Sequence, residues 1–282
     1  MATMMLRGIS RASVGWISSP LAAGAEGELD FLRRELSARC SSGRQQFCRN
    51  SWQRLSTLAS NIPRPVARVG GTSTGLNTEE RVEAALTDFI LDGSKTTSIA
   101  HKVWKTVVRP GDTVIDATCG NGHDTLMLAK LVLQEATAGY VIGLDLQQGA
   151  IDNTTALLDR ELDPNQREKV SLLLLCHSQL DEVVDESSVR LVCFNLGYQP
   201  GGDKSFITRA ESTVNAVRAA TKVIEPQGLI SIMSYVGHPG GQEEYEAVRD
   251  FLASLPPNEW VCSHLSWTNR PLCPHLMFVL RK

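Results

Sequence analysis

The chain lacks any apolar run long enough to span a bilayer. Its longest uncharged apolar stretches, such as residues 170–176, fall far short of the roughly 18 residues a crossing helix needs, so no membrane partner is expected. It also lacks a CxxC pair. The seven cysteines are odd in number and scattered, which argues against a disulfide framework and a structural zinc site; no metal is expected. Aromatic residues are scarce at 6%, yet hydrophobic residues make up 42% and charged residues 21%. That is ample for a buried core and excludes wholesale disorder.

Residues 1–76 lack lysine altogether. They hold ten arginines, eleven serines and four acids (Glu26, Glu28, Asp30, Glu35), a formal charge of +6. The other 18 basic and 27 acidic residues leave residues 77–282 at −9. Arginine- and serine-rich, acid-poor composition is characteristic of organelle transit peptides. Residues 1–76 are therefore expected to be a transit peptide or disordered leader, addressed to the chloroplast, with the mitochondrion as the alternative. A basic arm that stays attached and touches RNA is the other reading.

A folded domain is expected over residues 77–282. Asn77 and Thr78 can cap a helix that Gly93 ends, and a second helical run covers 98–107. The pattern then alternates. Strands are expected at 113–116, 140–145, 170–176, 189–195, 228–234, 260–266 and 275–280, with helices at 124–133, 150–162, 205–223 and 243–255. Strands alternating with helices imply an α/β fold, a Rossmann-like doubly wound seven-stranded sheet. The short link between the last two strands adds an antiparallel edge.

The chemistry concentrates at strand ends. Asp116 closes the first strand, and Gly120 and Gly122 follow in Ala117-Thr-Cys-Gly-Asn-Gly-His-Asp124. Paired glycines turn the backbone sharply and admit a ligand closely. No Gly-Lys-Ser or Gly-Lys-Thr is present, so this is no P-loop. A dinucleotide loop wants a third glycine where Thr125 stands. An S-adenosylmethionine site needs neither, only an acidic residue ahead of the loop and a carboxylate for the ribose. Asp145, at the end of the second strand, is that carboxylate, although NAD ribose would use the same residue. His177 can stack on an adenine ring and Ser178 can bond its edge. Asn195 ends the fourth strand and opens a loop rich in glycine and proline. There Tyr198 can stack on a planar base, Asn195 can hold an amino group, and Asp203 with Lys204 opens the next helix.

Together, DATCGNGHDT, GLDLQ, CHSQL and NLGYQPGGDK resemble the class I methyltransferases of the rRNA methylase family. The match covers residues near 80–282, and the NLGY…PGGDK element is its most specific part. The resemblance implies a class I methyltransferase fold and S-adenosylmethionine as cofactor. It implies cofactor binding by Asn121, His123, Asp145, Gln147 and Ser178, to which the reading of the glycine loop and strand ends adds Asp116, Gly120, Gly122 and His177. It turns the loop carrying Tyr198, Gly201, Gly202 and Lys204 toward the substrate. Better-defined members methylate the 5-aminomethyl group of wobble 2-thiouridine, so the implied partner is a tRNA anticodon loop. A homodimer is a further expectation.

Asn195, Asp203 and His238 are the catalytic candidates: Asn195 to orient the amine, the other two as proton acceptors. The −9 balance is unusual for an RNA binder. It keeps open a methyltransferase of a small molecule, a protein side chain or another RNA base, and a non-catalytic cofactor- or NAD-binding protein.

Overall fold

The computed structural model describes Thr87 and residues 95–134, 138–198 and 207–282. All of these belong to the compact unit spanning Leu55–Lys282. The leader expected over 1–76 lies outside the described residues, as does the helix expected over 77–93 apart from Thr87, which is helical.

Seven strands form one sheet: β1 (Thr113–Asp116), β2 (Tyr140–Asp145), β3 (Val170–Leu174), β4 (Val189–Asn195), β5 (Ile224–Ser234), β6 (Trp260–Leu265) and β7 (His275–Arg281). Their order is β3-β2-β1-β4-β5-β7-β6. The pairs β1–β2, β1–β4, β2–β3 and β4–β5 are parallel. β7 runs antiparallel to both β5 and β6. The expected terminal hairpin is therefore present, but β7 is inserted between β5 and β6, which leaves β6 outermost.

Alternation along the strands decides the layers. In β1, Val114 packs with Leu128, Leu158 and Trp104, whereas Ile115 packs with Val192, Val217 and Ile230. Both faces are thus buried, as a central parallel strand requires. One face is covered by α1 (Thr96–Val107), α2 (His123–Val132) and α3 (Gln148–Glu161); the other by α5 (Ala210–Val223) and α6 (Gly241–Ala253). The helices read as amphipathic stripes. α1 buries Thr96, Ile99, Ala100 and Trp104, and α3 buries Ala150, Thr154 and Leu158.

Several boundaries differ from expectation; β5 begins at Ile224 rather than 228, directly after α5. A short helix, α4 (Pro164–Arg167), precedes β3. Its signals are plain in retrospect: Asp163 and Gln166 form a reciprocal capping box and proline occupies the first turn. β3 ends at Leu174, and a 3-10 turn, His177–Glu182, follows. α5 begins at Ala210 rather than 205; Ile207 instead pairs with Tyr198 in an isolated antiparallel bridge. Among the described residues, no helix is long and apolar enough to cross a membrane. No group of three or more His, Cys, Asp or Glu there could hold a metal ion.

One buried charge sits low in the sheet. Arg190, at the start of β4, faces Glu225 at 3.3 Å and Asp112 at 3.8 Å and donates to the Val107 carbonyl at 3.1 Å. Removing the cation takes the opposing charge from Asp112, which is itself buried and keeps the Arg109 N–H as a donor. Arg190→Ala should lower stability by about 3–5 kcal/mol, seen as a lower urea midpoint with an unchanged slope.

Candidate active site

Strand order reverses between β1 and β4, and ligands of open α/β sheets sit at the carboxyl ends of strands at such a point. A cavity of about 960 Å3 opens there. It is walled by the segments after β1, β2, β4 and β5 and by residues 175–177 after β3.

The glycine loop is built from within. Asp116 is buried, accepting from Thr125 Oγ1 at 2.6 Å and from the Thr118 N–H at 3.2 Å. Both its oxygens are thus engaged in bracing the turn, and it does not line the cavity. Burial, then the nearby charge of Asp124, pushes its carboxyl up to about 7, although the Thr125 and Thr118 hydrogen bonds oppose this. Gly122 has φ +83° and starts α2; a Cβ there would lie 2.9 Å from Thr154 Cα. Only glycine lets α3 approach this turn so closely. Thr154 Oγ1 in turn donates to the Gly120 carbonyl at 3.2 Å.

Asp145 closes the loop from β2. Its Oδ2 accepts the Gly120 N–H at 3.0 Å and its Oδ1 the Gln147 N–H at 2.9 Å. Each oxygen keeps a lone pair for a ligand. Leu146, beside it, is 61% exposed and lines the cavity, an apolar surface for a flat ring. His177 is buried, meets Phe194 edge-on at 6.0 Å, and has no partner for Nε2. Burial holds its imidazole down to about 4, so at neutral pH it is an uncharged ring. Ser178 turns its hydroxyl onto Cys176 Sγ at 3.1 Å and does not line the cavity.

Across the cavity, Asn195 donates its main-chain N–H to Thr118 Oγ1 at 2.7 Å and its amide Nδ2 to Asp124 Oδ2 at 3.4 Å. A carboxylate can only accept. The contact therefore orients the amide and leaves Asn195 Oδ1 as the exposed acceptor. Asp124 Oδ1 meets His101 Nε2 of α1 at 2.7 Å. His101, Asp124 and Asn195 all line the cavity. Tyr235 lines it too; burial, then the Asp124 charge, raises its phenol above the usual range.

Tyr198 is 42% exposed and lies 6.1 Å from His238 in an edge-to-face contact. His238 lines the cavity, but its Nε2 is buried without a partner and its Nδ1 contacts the Pro239 carbonyl at 3.1 Å. Gly197 is tied to Thr208 and, through it, to Glu244 of α6. The Gly197 N–H donates to Thr208 Oγ1 at 2.8 Å, Thr208 Oγ1 donates to Glu244 Oε2 at 2.9 Å, and Thr213 Oγ1 donates to Glu244 Oε1 at 2.5 Å. Glu244 is fully buried, and burial raises its carboxyl despite these hydrogen bonds.

The cavity thus brings together Gly120, Asn121, His123, Asp145, Gln147, His177, Asn195, Tyr198 and His238. Asp116 and Gly122 support it from behind. Gly201, Gly202, Asp203 and Lys204 lie outside the described residues. The sequence reading did not single out Asp124, His101 or Glu244. Asp124 sits inside the glycine motif and was within reach. His101 and Glu244 arrive from helices distant in sequence and carry no local signal.

Comparisons with known proteins point one way. A family model described as "Putative rRNA methylase" matches residues 141–281. The chain is 45% identical over 204 residues to an Arabidopsis thaliana protein named tRNA (mnm(5)s(2)U34)-methyltransferase, chloroplastic, covering 71% of this chain and 74% of that one. It superposes on a "putative rRNA-methylase" from Clostridium thermocellum with TM-score 0.62 and 36% identity, covering 67% of this chain and 98% of that one. A "putative methyltransferase" from Streptococcus mutans, solved in complex with SAH, gives TM-score 0.59 and 27% identity over 67% of this chain and 99% of that one.

The raised Asp116 carboxyl has a consequence for stability. The folded state holds this proton between the unfolded value of 3.8 and about 7, so the unfolded state binds fewer protons there. The Asp116 contribution to stability therefore falls as pH rises through that window. Urea unfolding at pH 5 and pH 8 should show this decline in the wild type and a flatter profile in Asp116→Asn.

Proposed function

The chain belongs to the rRNA methylase family, and on that premise we propose that it is an S-adenosylmethionine-dependent tRNA methyltransferase. It N-methylates the 5-aminomethyl group of 2-thiouridine at the wobble position, giving 5-methylaminomethyl-2-thiouridine. The 45% identity to the Arabidopsis enzyme named for that position supports the substrate. The observation that carries the reaction type is Asn195. Its amide nitrogen donates to Asp124, which leaves Oδ1 as an acceptor on a residue that lines the same cavity as Asp145.

The cavity residues fit the cofactor. Asp145 has acceptor capacity for two ribose hydroxyls, Leu146 offers an apolar face for adenine, and the glycine loop leaves room for close approach. The bound cofactor supplies a methyl group already electrophilic on sulfur. The protein's task is to align a nitrogen lone pair with it and exclude water. Asn195 Oδ1 accepts an N–H of the aminomethyl group and directs its lone pair. The nitrogen must enter unprotonated to react. Asp124, held by His101, is placed to balance the positive charge that develops on nitrogen as the methyl is transferred, and then to accept the proton that the methylated ammonium releases. Asp203 is a further candidate acceptor. Tyr198 stacks on the base, and Gly201, Gly202 and Lys204 belong to the same substrate loop.

Residues 77–282 form the methyltransferase domain and residues 1–76 a transit peptide or leader. The chloroplast is the proposed site of action, since the Arabidopsis relative is named chloroplastic. A homodimer belongs to the same proposal: β6 is an edge strand of the sheet among the described residues, and such an edge can pair with another chain. The −9 charge of residues 77–282 favours one rival, a methyltransferase of a small molecule or protein side chain.

Mass spectrometry of wobble nucleosides, after incubating the protein with S-adenosylmethionine and tRNA bearing 5-aminomethyl-2-thiouridine, decides between them. A gain of one methyl at that nucleoside is expected; an unchanged nucleoside would exclude the tRNA reading. Asp145→Ala should weaken SAH binding by about 100-fold or more, measured by calorimetry, through loss of charge-assisted hydrogen bonds. Asn195→Ala should keep SAH affinity and lose about 100-fold in kcat.

A further inference from the structure

Beyond the cavity floor, one surface feature has no role in the reading above. The turn joining β6 to β7, residues 266–274, reaches the cavity through Leu272. That side chain is 73% exposed, more than any other large apolar side chain among the described residues. Single exposed apolar residues are ordinary, but this one stands on a stiff turn beside a second feature. The Arg270 guanidinium lies over the Trp267 ring, 4.8 Å from its centroid. The Arg270 N–H donates to the Trp267 carbonyl at 3.2 Å and the Cys273 N–H to the Arg270 carbonyl at 3.0 Å. Pro271 and Pro274 restrict the backbone between and after them. The guanidinium has no carboxylate partner among the described residues.

We propose that this turn is a docking platform for an unpaired RNA base adjoining the one methylated, the base stacking on Arg270, itself backed by Trp267, with Leu272 against its edge. The proposal rests on the tRNA reading and names the part of the RNA that this surface takes. An anticodon loop presents single-stranded bases that can splay apart, and flat guanidinium and aromatic faces are what such bases stack upon. Tyr198 supplies an exposed aromatic face on the same cavity, so target and neighbour would have separate platforms. Charge supports the assignment. Residues 77–282 carry −9, so a general phosphate-binding field is missing, and recognition must come from local stacking with a few cations such as Arg270 and the cavity-lining Arg209. A turn already stiffened by two prolines and a stacked ring pair loses little freedom on binding.

The test compares tRNA KM and SAH affinity in full-length wild type, Trp267→Ala, Arg270→Ala and Arg270→Lys. Trp267→Ala and Arg270→Ala should raise the KM for tRNA about 10-fold or more while SAH affinity stays at the wild-type value. Arg270→Lys keeps the charge but not the flat stacking surface, and should behave like Arg270→Ala. An Arg270→Ala protein with wild-type KM overturns the platform. An Arg270→Lys protein with wild-type KM overturns stacking as its basis. A wild-type protein that binds SAH but leaves tRNA unmethylated overturns the tRNA reading, and the platform with it.

Discussion

The Asp145 carboxylate holds two backbone N–H groups, one from the glycine loop after β1 and one from its own strand end. On that double acceptance the architecture of the site depends. It fastens the loop to the neighbouring strand, beside the cavity that opens beyond the carboxyl ends of β1 and β4. The same oxygens keep spare lone pairs at the cavity surface. A single ionised group thus braces the protein and offers itself to a ligand. Mutating it therefore removes support as well as contact.

Beneath the loop the chain accepts an electrostatic cost. Asp116, Asp124 and Asp145 are close enough that the last two raise the carboxyl of the first. Asp116 is placed where water cannot screen it, and hydrogen bonds from Thr125 and Thr118 compensate only in part. The concentration of negative charge suits a reaction that makes a nitrogen cationic. Asp124 sits at the centre of this arrangement, holding His101 on one oxygen and Asn195 on the other. A buried acid that braces, a shared acid that orients and a cavity-lining acid that fastens the loop are three uses of one side-chain chemistry, separated by burial and partners.

The far side of the site is governed by a second buried carboxylate. Glu244, on α6, gathers Thr208 and Thr213, and through Thr208 it reaches Gly197. Gly197 and Thr208, on either side of the stretch between them, are therefore joined at one point. The geometry of that point is set by a helix more than thirty residues downstream.

Periodicity and turn chemistry in the chain were enough for the layers, the seven strands, the glycine loop and Asp145 as its answering carboxylate. These depend on local pattern, with short continuous apolar runs in strands buried on both faces, apolar residues every third or fourth position in helices, and glycines where a side chain cannot fit. The capping box of α4 was equally local and readable. What only tertiary structure decided was which side chains converge. Asp116, placed by its motif among the ligand contacts, spends both oxygens on the loop instead. His101 and Glu244 reach the site from remote helices. β7 slips between β5 and β6, and Leu272 comes to the cavity from the far end of the chain. Spacing along a backbone records neighbours within an element. It holds no record of which helix will cover which sheet face, and that choice is made by packing and by the pairing of buried polar groups.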